Sequence, residues 1–453
     1  MAHIPEGPAY PRSLPAQLKM LNDVKNDMFG YFEYFFAEYG DVVAFKMPKG
    51  VYYAVANPDF THEMLVNQPE KFHKDNSYKH PKTGLARFMG NGLVTSDGEF
   101  WKRQRKLVAP AFHVKRIEAY AATMVEYTDR MLKHWRDGSQ IELDHEMMHL
   151  TLQIVGKTLM NMDISQSADR IGKAMDVLQA IMTPIDVLPA WLPTPGRIRM
   201  SFAIRDLDAI VYGMIAEWKK TREDRGDLLS MLMLAEDDNG APMSDQQVRD
   251  EAVTLLLAGH ETTAHTLNWT FSLLAQNPDA EAKLHAELDT VLHGELPTLA
   301  DLKRLPYTDM VIKESMRLLP AVYSIGRQSI ADTEIMGYTI PKYTDVTVFS
   351  YFMHRNPRLW DQADQFMPER FSPDNEKNLP RYAYLPFGGG PRICVGNSFA
   401  AMEARLLLAT IAQKYQLRLN PGHKIELEPL ITLRPKGGLT MRIEQREPIR
   451  ELA

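Results

Sequence analysis

The residue with the clearest chemical potential in this chain is Cys394, the only cysteine among 453 residues. It lies in the stretch FGGGPRICVG, residues 387 to 396, directly before a strong helix pattern. A thiolate is a soft, electron-donating ligand for iron, and consecutive glycines allow a backbone to lie close to a flat macrocycle. The pattern therefore favours haem ligation through sulfur. The alternative is a buried free thiol that packs as a small hydrophobic side chain.

The helix pattern after Cys394 is expected to place its N-terminus beside the thiol. Unpaired backbone N–H groups and the positive end of the helix dipole stabilise a thiolate at such a position. Arg392, two residues before the cysteine, is placed to reach an acidic group of the cofactor. A solvated loop cation is the alternative interpretation of Arg392.

A second pattern lies in residues 251 to 275, which are apolar on both sides of a polar island, Gly259 to Thr263. Ala258 and Thr262 share a helix face, so we expect a small residue and a hydroxyl to line a site that a flat cofactor approaches. Burying Glu261 is costly without partners or a function, and a carboxylate beside a hydroxyl is suited to relaying protons. A locally bent helix, with Thr262 bonded to a preceding carbonyl, fits the pattern equally well.

Glu314 and Arg317 stand three apart in a helix pattern and share a face, as in many weak surface ion pairs. Arg370, in the later stretch PERF, offers a second guanidinium. A buried carboxylate between two guanidiniums would instead form a strongly charge-assisted network. The spacing alone leaves both interpretations open.

Trp101 and Arg105 stand four apart, so an indole N–H and a guanidinium could bind one carboxylate. An amphipathic basic helix is the alternative. His113, His260 and His354 are conceivable iron ligands, but none lies in a glycine-rich loop. A solvated or core role is favoured for each of the three histidines.

The composition is that of an ordinary globular protein, with 45% hydrophobic and 24% charged residues. No low-complexity linker interrupts the chain, so one large domain is expected. A net charge of -6 argues against nucleic acid as the main partner. The N-terminal residues predict neither a signal peptide nor a membrane span, and a single cysteine favours a reducing compartment, so we expect a cytoplasmic protein.

Helical patterns dominate the chain and strands are few, which predicts a mainly α fold with small β-sheets. A hairpin is predicted at 40 to 56. The predicted long helices span 114 to 136, 141 to 160, 203 to 222 and 246 to 275. Further short strands are predicted within 333 to 350 and 416 to 445.

In order and spacing these patterns resemble the cytochrome P450 superfamily, over nearly the whole chain. Residues that match its cysteine-loop motif are Phe387, Gly388, Gly390, Arg392, Cys394 and Gly396. Residues that match its oxygen-activation motif are Ala258, Gly259, Glu261, Thr262 and Thr263. Its Glu-x-x-Arg pair with a partner arginine is matched by Glu314, Arg317 and Arg370, and its Trp-x-x-x-Arg contact by Trp101 and Arg105.

The resemblance implies a single haem domain over residues 1–453, without a fused reductase. The cofactor, haem b (iron protoporphyrin IX), would lie between the long central helix and the helix after the cysteine loop. Cys394 would be the proximal iron ligand, while Glu261 and Thr262 would deliver protons. Arg327 resembles a further position that binds a haem propionate.

The implied activity is that of a monooxygenase, which inserts one oxygen atom from O2 into a hydrophobic substrate such as a fatty acid or terpenoid. Electrons would come from a separate ferredoxin or flavodoxin with its NAD(P)H reductase, docked near Lys102, Arg103 and Lys106. A peroxide-driven peroxygenase and a non-catalytic haem sensor are the alternatives. The pair Glu261 and Thr262 favours the monooxygenase, because the alternatives do not need proton delivery.

Substrate contacts are expected in 85 to 94, 182 to 192, 321 to 325 and 430 to 433, and the stretch Pro184 to Pro195 is interpreted as an access lid or a packed loop. The chain departs from many soluble bacterial relatives, which carry histidine at the positions of Trp101 and Arg392 and aspartate at that of Glu261. It is closer in these motifs to fatty-acid hydroxylases and microsomal members.

Overall fold

The computed structural model describes residues 3–48, 50–162, 170–174, 177–178, 193–236 and 240–446. The expected substrate segment 182–192 lies outside these residues, as does most of the stretch from Pro184 to Pro195.

The described residues form helices joined by short strands and turns. The α-helices are α1 Leu14–Asn26, α2 Met28–Tyr39, α3 Pro58–His62, α4 Asn76–Lys79, α5 Ala86–Met89, α6 Gly98–Val108, α7 Val114–Leu132, α8 Leu143–Met160, α9 Pro195–Thr221, α10 Leu228–Leu234, α11 Asp245–Gln276, α12 Pro278–Leu292, α13 Pro306–Leu318, α14 Ser350–Met353, α15 Pro373–Glu376 and α16 Asn397–Ala412. The strands are β1 Val42–Met47, β2 Gly50–Val55, β3 Phe72–His73, β4 Gln140–Glu142, β5 Ile325–Ser329, β6 Thr333–Ile335, β7 Tyr338–Ile340, β8 Asp345–Val348, β9 Tyr415–Leu419, β10 Leu427–Pro429, β11 Leu433–Pro435 and β12 Thr440–Gln445.

Local sequence signals explain where the long helices begin. The hydroxyl of Ser244 accepts a hydrogen bond from the Gln247 N–H, and the Gln247 side chain accepts one from the Ser244 N–H, so a capping box starts α11. Helix α9 begins at Pro195 rather than at 203, because proline is tolerated at the first helical position and Thr194 caps the helix. The predicted start of that helix was therefore wrong.

The strands form small sheets around the helical body. The largest has the order β1-β2-β8-β5-β3, with the predicted hairpin β1-β2 at one edge. Strand β2 pairs in parallel with β8, and β8 pairs antiparallel with β5. A second sheet has the order β4-β12-β9, and the pairs β6-β7 and β10-β11 stand alone.

Helix α11 runs through the middle of the hydrophobic core and packs against α8, α9, α13 and α16. Its residues are buried along most of its length, as expected for a helix that is surrounded by other helices. The prediction of a mainly α fold with small β-sheets is confirmed. No described helix combines the length and the apolar content that crossing a bilayer requires.

Candidate active site

A cavity of about 530 Å³ separates α11 from the loop that precedes α16. The structure brings most of the sequence-predicted site residues together around it. Those that line the cavity are Trp101, Arg105, Ala258, Glu261, Thr262, Arg327, Phe387, Arg392, Cys394 and Gly396. Glu314, Arg317 and Arg370 lie outside the lining.

Cys394 presents its side chain to this cavity. It is exposed by surface area, yet it belongs to the cavity lining, so the accessible surface faces the enclosed space. Its backbone N–H donates to the Phe387 carbonyl at 2.9 Å, which closes the loop. Burial raises the pKa of the Cys394 thiol, while the Gly396 N–H and the Arg105 cation act in the opposite direction. The helix terminus therefore lowers this pKa by less than burial raises it.

The three glycines of the loop meet two different demands. Gly388 and Gly389 line the cavity, as expected if a flat ligand approaches them. Gly390 has φ +65°, and a Cβ there would lie 1.8 Å from the Leu65 carbonyl oxygen. A Cβ on Gly389 would lie 2.5 Å from the ring of Tyr382. Packing within the protein thus explains why Gly389 and Gly390 are glycines, in addition to the close approach of a ligand that the sequence predicts.

Arg392 lies at a cationic edge of the cavity. Its guanidinium stacks over the Trp101 ring at 4.2 Å from the centroid, donates to the Ser96 carbonyl at 3.0 Å and pairs with Asp97 at 2.5 Å. Burial, with a further contribution from Arg327, lowers the pKa of Arg392 to about 10, and Asp97 opposes this change. These contacts within the protein fix the Arg392 side chain, which also lines the cavity.

Lys74, at the same edge, was missed by the sequence interpretation. Its ammonium lies 4.1 Å from the Tyr78 ring centroid, and burial together with Arg327 and Arg392 lowers the pKa of Lys74 well below its usual value. The pKa values of Arg327 and of Arg105 are also lowered by burial. Nearby carboxylates only partly compensate these cations, so this edge fits a ligand that carries carboxylate groups. No local spacing in the sequence distinguishes Lys74 from a surface lysine.

Thr262 lies on the opposite wall of the cavity, in α11. Its hydroxyl donates to the Ala258 carbonyl at 2.8 Å, and the Thr266 hydroxyl donates to the Thr262 carbonyl at 2.8 Å. This is the back-bonding that the sequence left open, although α11 continues without a break. A Cβ on Gly259 would lie 3.2 Å from the Val155 side chain, so glycine at this position lets α8 pack closely.

Glu261 also lines the cavity, and its carboxylate has buried partners. The Thr432 hydroxyl donates to Glu261 Oε1. His265 Nε2 lies 3.7 Å from Glu261 Oε1, and His265 Nδ1 lies 3.4 Å from Asp144 Oδ1. Burial alone would raise the pKa of Glu261, but His265 and Thr432 outweigh it and lower the pKa. The four-residue spacing of Glu261 and His265 was a usable signal in the sequence, whereas Asp144 carried none.

Glu314 and Arg317 form a fully buried ion pair beneath the site. Arg317 donates from Nε to Glu314 Oε2 at 2.7 Å and from Nη2 to Glu314 Oε1 at 2.9 Å. Its remaining donors bond the carbonyls of His354, Ala363 and Gln365. Arg370 Nε reaches Glu314 Oε1 at 3.3 Å. The carboxylate therefore lies between two guanidiniums, and the pair is not on the surface.

The three histidines considered as iron ligands lie elsewhere. Buried His260 bonds the Leu256 carbonyl through Nδ1 at 2.8 Å, and buried His354 accepts the Leu385 N–H at Nε2 at 2.8 Å. His113 is exposed at the start of α7. None of these three side chains lines the cavity.

The loop that carries Leu93, part of the cavity lining, is tied to α11 by two carboxylates. The Leu93 N–H donates to Glu251 Oε2 at 3.0 Å, and the Asn91 N–H donates to Asp250 Oδ2 at 2.8 Å. Glu251 is 1% exposed, and burial raises its pKa from 4.5 to about 8. The folded protein therefore holds a proton on Glu251 at neutral pH.

We expect Glu251→Gln to flatten the loss of stability that accompanies rising pH. Because the pKa of Glu251 is raised by folding, its stabilising contribution is complete at low pH and is lost as the pH rises toward about 8. The amide keeps an acceptor for Leu93, so the variant should be more stable than the native chain above that pH, by on the order of 3 kcal/mol. Thermal unfolding between about pH 5 and pH 9 measures this, because the contribution of Glu251 is lost within that range. Glu118→Gln, at an exposed position, is the control. Parallel pH dependence in the native and Glu251→Gln proteins would contradict the expectation.

Comparison with known proteins places this fold and site in a family. The family model described as Cytochrome P450 matches residues 6–441. The chain belongs to the cytochrome P450 family. It is similar to cyclooctatin synthase of Streptomyces melanosporofaciens, with 38% identity over 90% of this chain and 89% of the relative. It is also similar to cyclooctat-9-en-7-ol 5-monooxygenase of the same organism, with 36% identity over 85% of this chain and 84% of the relative.

A solved structure supports the same fold. The crystal structure of the cytochrome P450DA haem domain superimposes with a TM-score of 0.88 over 99% of each chain, at 24% identity. The predictions of a cytochrome P450 fold and of a P450 monooxygenase that uses O2, a redox partner and a hydrophobic substrate are confirmed at this level. The family implies a haem cofactor. The cavity fits such a group, because a sulfur ligand, two glycines and an edge of under-compensated cations face it.

Proposed function

We propose that this cytochrome P450 hydroxylates a terpenoid, and that Cys394 is the proximal ligand of its haem b. The observation that carries the proposal is the cavity itself, in which the only cysteine faces a wall formed by Glu261 and Thr262. When bound, the haem iron activates dioxygen and oxidises a C–H bond of the substrate. Residues of this chain would bind the haem and the substrate and deliver protons.

The cationic edge is proposed to hold the carboxylate groups of the haem. Trp101, Arg105, Arg327 and Arg392 all line the cavity at this edge, and Lys74 adds a fifth polar group. Burial, with repulsion from Arg327 and Arg392, lowers the pKa of Lys74, and a negatively charged ligand would relieve that repulsion. Ala258, Phe387 and Gly396 would contact the haem without charge, as parts of the same lining.

Glu261 and Thr262 are proposed to deliver protons to the oxygen site. Both line the cavity, and Glu261 is ionisable while Thr262 can accept a proton and pass on its own. Thr262 is held toward the Ala258 carbonyl at 2.8 Å, so it must rotate its hydroxyl to donate into the cavity. A single low-barrier rotation of this kind does not disturb the helix.

The remaining cavity wall is proposed to bind the substrate. The wall is mainly aliphatic or aromatic, and it includes apolar side chains from the three described segments expected to contact substrate. They are Leu85, Phe88, Met89, Leu93, Val94, Ala321, Val322, Tyr323, Ile325, Leu430 and Ile431. Such a wall suits a compact hydrocarbon, and a related protein is a cyclooctat-9-en-7-ol 5-monooxygenase. An apolar wall suits any hydrophobic substrate, so it is the relative that favours a terpenoid over a linear fatty acid.

Spectral titration of the haem-loaded protein tests the substrate class. We expect cyclooctat-9-en-7-ol to displace water from the iron and shift the Soret band at micromolar concentration, and dodecanoic acid to do so far more weakly. Addition of NADPH with a ferredoxin and its reductase should then give a hydroxylated product only from the terpenoid. A stronger shift and faster oxidation with dodecanoic acid would reject the terpenoid assignment.

The electron donor is proposed to be a ferredoxin or flavodoxin, reduced by an NAD(P)H-dependent reductase. It would dock near Lys102, Arg103 and Lys106 of α6, the helix that also supplies Trp101 to the cavity lining. The Lys102 side chain is 65% exposed and pairs with Glu99 at 2.6 Å, and Arg103 bonds the Ala241 carbonyl. A cytoplasmic location belongs to the same proposal and is supported by the single cysteine.

We expect Lys102→Glu to weaken reduction by an acidic donor protein. Reversal of this charge removes attraction during encounter, so the donor concentration for half-maximal turnover should rise about three- to tenfold at low salt. Lys436→Glu is a matched control, because Lys436 is 60% exposed and pairs with Glu426 at 2.7 Å. Equal salt dependence in both variants and in the native protein would place the docking surface elsewhere.

A further inference from the structure

A buried chain of ionisable groups leads away from the cavity at Glu261. Glu261 lines the cavity, whereas His265 and Asp144 lie behind it and do not. His265 stands one helical turn after Glu261 in α11, and Asp144 lies at the start of α8. The three side chains therefore extend from the cavity into the contact between the two helices.

The distances along this chain are those of close ion pairs. Glu261 Oε1 lies 3.7 Å from His265 Nε2, which is an ion-pair distance, and His265 Nδ1 lies 3.4 Å from Asp144 Oδ1. The side chains of His265 and Glu261 are 2% and 4% exposed. The Asp144 side chain is 27% exposed, although it is not part of the cavity lining. Asp144 is thus the end of the chain that meets solvent.

Two neutral groups hold the chain in place. The Asn268 amide donates to Asp144 Oδ1 at 2.6 Å, and the Thr432 hydroxyl donates to Glu261 Oε1. Both residues are buried. Each carboxylate is thereby oriented by a neutral donor, and His265 lies between the two carboxylates.

We propose that Asp144 and His265 supply the proton that Glu261 delivers to the cavity. After Glu261 has given up a proton, the Nε2–H bond of His265 breaks and a new O–H bond forms on Glu261. The neutral imidazole that remains keeps its Nδ1–H, so a half-turn of the ring brings the bare Nε2 to Asp144, which passes it a proton received from solvent. The net result is one proton moved from solvent to the cavity, with every residue returned to its starting charge.

The electrostatics of the chain set its resting protonation state. Burial by itself would lower the pKa of His265, but Asp144 and Glu261 outweigh it and raise the pKa to about 9. At neutral pH His265 is therefore charged and Glu261 is ionised, so the transfer to Glu261 is uphill and proceeds only as the cavity takes up the proton. Among the described residues, His260 also acts on this pair, and its pKa is lowered by burial. His260 is neutral at this pH and bonds the Leu256 carbonyl.

The alternative is that His265 only neutralises a buried carboxylate. Asp144→Asn separates the two roles, because it keeps a similar shape beside Asn268 but removes the charge through which the relay is refilled. The Asp144 side chain is also partly exposed, so Asp144→Asn should fold even if His265→Gln does not.

The first readout does not depend on turnover. Imidazole nitrogen resonances of histidine-labelled holoenzyme, bound to carbon monoxide in the reduced state, report the titration of each histidine, and His265→Gln assigns the signal of His265. We expect His265 to titrate near pH 9 in the native protein and at least about tenfold more acidic in Asp144→Asn. A native His265 that is neutral at pH 7 would overturn the relay.

The second readout is the fraction of NADPH electrons that ends in product rather than in hydrogen peroxide. We expect this fraction to fall about tenfold or more in Asp144→Asn and in His265→Gln, with an increased solvent deuterium isotope effect. Asp144→Glu should restore much of it, while His145→Gln, which changes an exposed histidine next to Asp144 in α8, should leave it unchanged. Native values in folded Asp144→Asn and His265→Gln would overturn the relay.

The relay rests on the proposed oxygenation, and the two can fail separately. If the native holoenzyme forms no product while His265 still titrates near pH 9, then the proposed function fails. If the native enzyme forms product and the variants do so equally well, the relay alone fails.

Discussion

Replacing Cys394 by histidine is expected to abolish substrate oxidation while leaving a haem-binding protein. As the proposed iron ligand, the Cys394 thiolate would donate more electron density than a neutral imidazole does. Cys394 is the only cysteine, so no other thiol can take over. The reduced variant under carbon monoxide should lack the red-shifted Soret band of thiolate ligation, and its product formation should fall to background.

A neighbouring variant controls for disturbance of the loop. Val395 also lines the cavity, and Val395→Ala should keep both the red-shifted band and measurable turnover. Burial raises the pKa of the Cys394 thiol in the metal-free protein, so loading with haem should also release a proton at neutral pH. Retention of the red-shifted band in Cys394→His would show that Cys394 is not the iron ligand, and the proposed site would then be rejected.

Replacing Arg317 by leucine is expected to cost about 3 to 5 kcal/mol of folding stability. The change leaves Glu314 charged at 0% exposure and removes the donors that bond three backbone carbonyls. Arg370 contacts Glu314 at 3.3 Å and cannot replace the bidentate pair. Because whole domains are stable by only about 5 to 15 kcal/mol, much of the protein should be unfolded or unable to retain haem. Chemical denaturation and haem content measure the loss.

A surface pair with the same spacing provides the comparison. Asp374 and Lys377 also stand three apart, at 3.4 Å, but their side chains are 95% and 73% exposed. Lys377→Leu should therefore change stability by less than about 1 kcal/mol. Similar losses in Arg317→Leu and Lys377→Leu would show that burial of the Glu314 pair does not determine its contribution.

Local sequence was enough to predict contacts between near neighbours, although not their burial. Cys394 lies in a loop closed by its own hydrogen bond to Phe387, and the Glu314–Arg317 pair is set by helix geometry. Contacts of this kind form within one loop or one helix, so they do not depend on how the rest of the chain is arranged. The cysteine loop and the long helix α11 were accordingly predictable in type and approximate position.

Residues brought together from distant parts of the chain could not be found in this way. Thr432 lies 171 residues from the Glu261 carboxylate that it bonds, and Asp144 approaches His265 only because α8 packs on α11. Lys74 looks like a surface lysine until the fold buries it beside Arg327. Their roles follow from packing and charge compensation, which have no fixed spacing in sequence.

The fate of molecular oxygen tests the central claim most directly. The haem-loaded protein, with NADPH, a ferredoxin and its reductase, is incubated with cyclooctat-9-en-7-ol under ¹⁸O₂, and the product is analysed by mass spectrometry. A monooxygenase should place one heavy oxygen atom in each product molecule, and none when the label is supplied as H₂¹⁸O. Product that forms only with added peroxide, or that carries no label from ¹⁸O₂, would contradict the account.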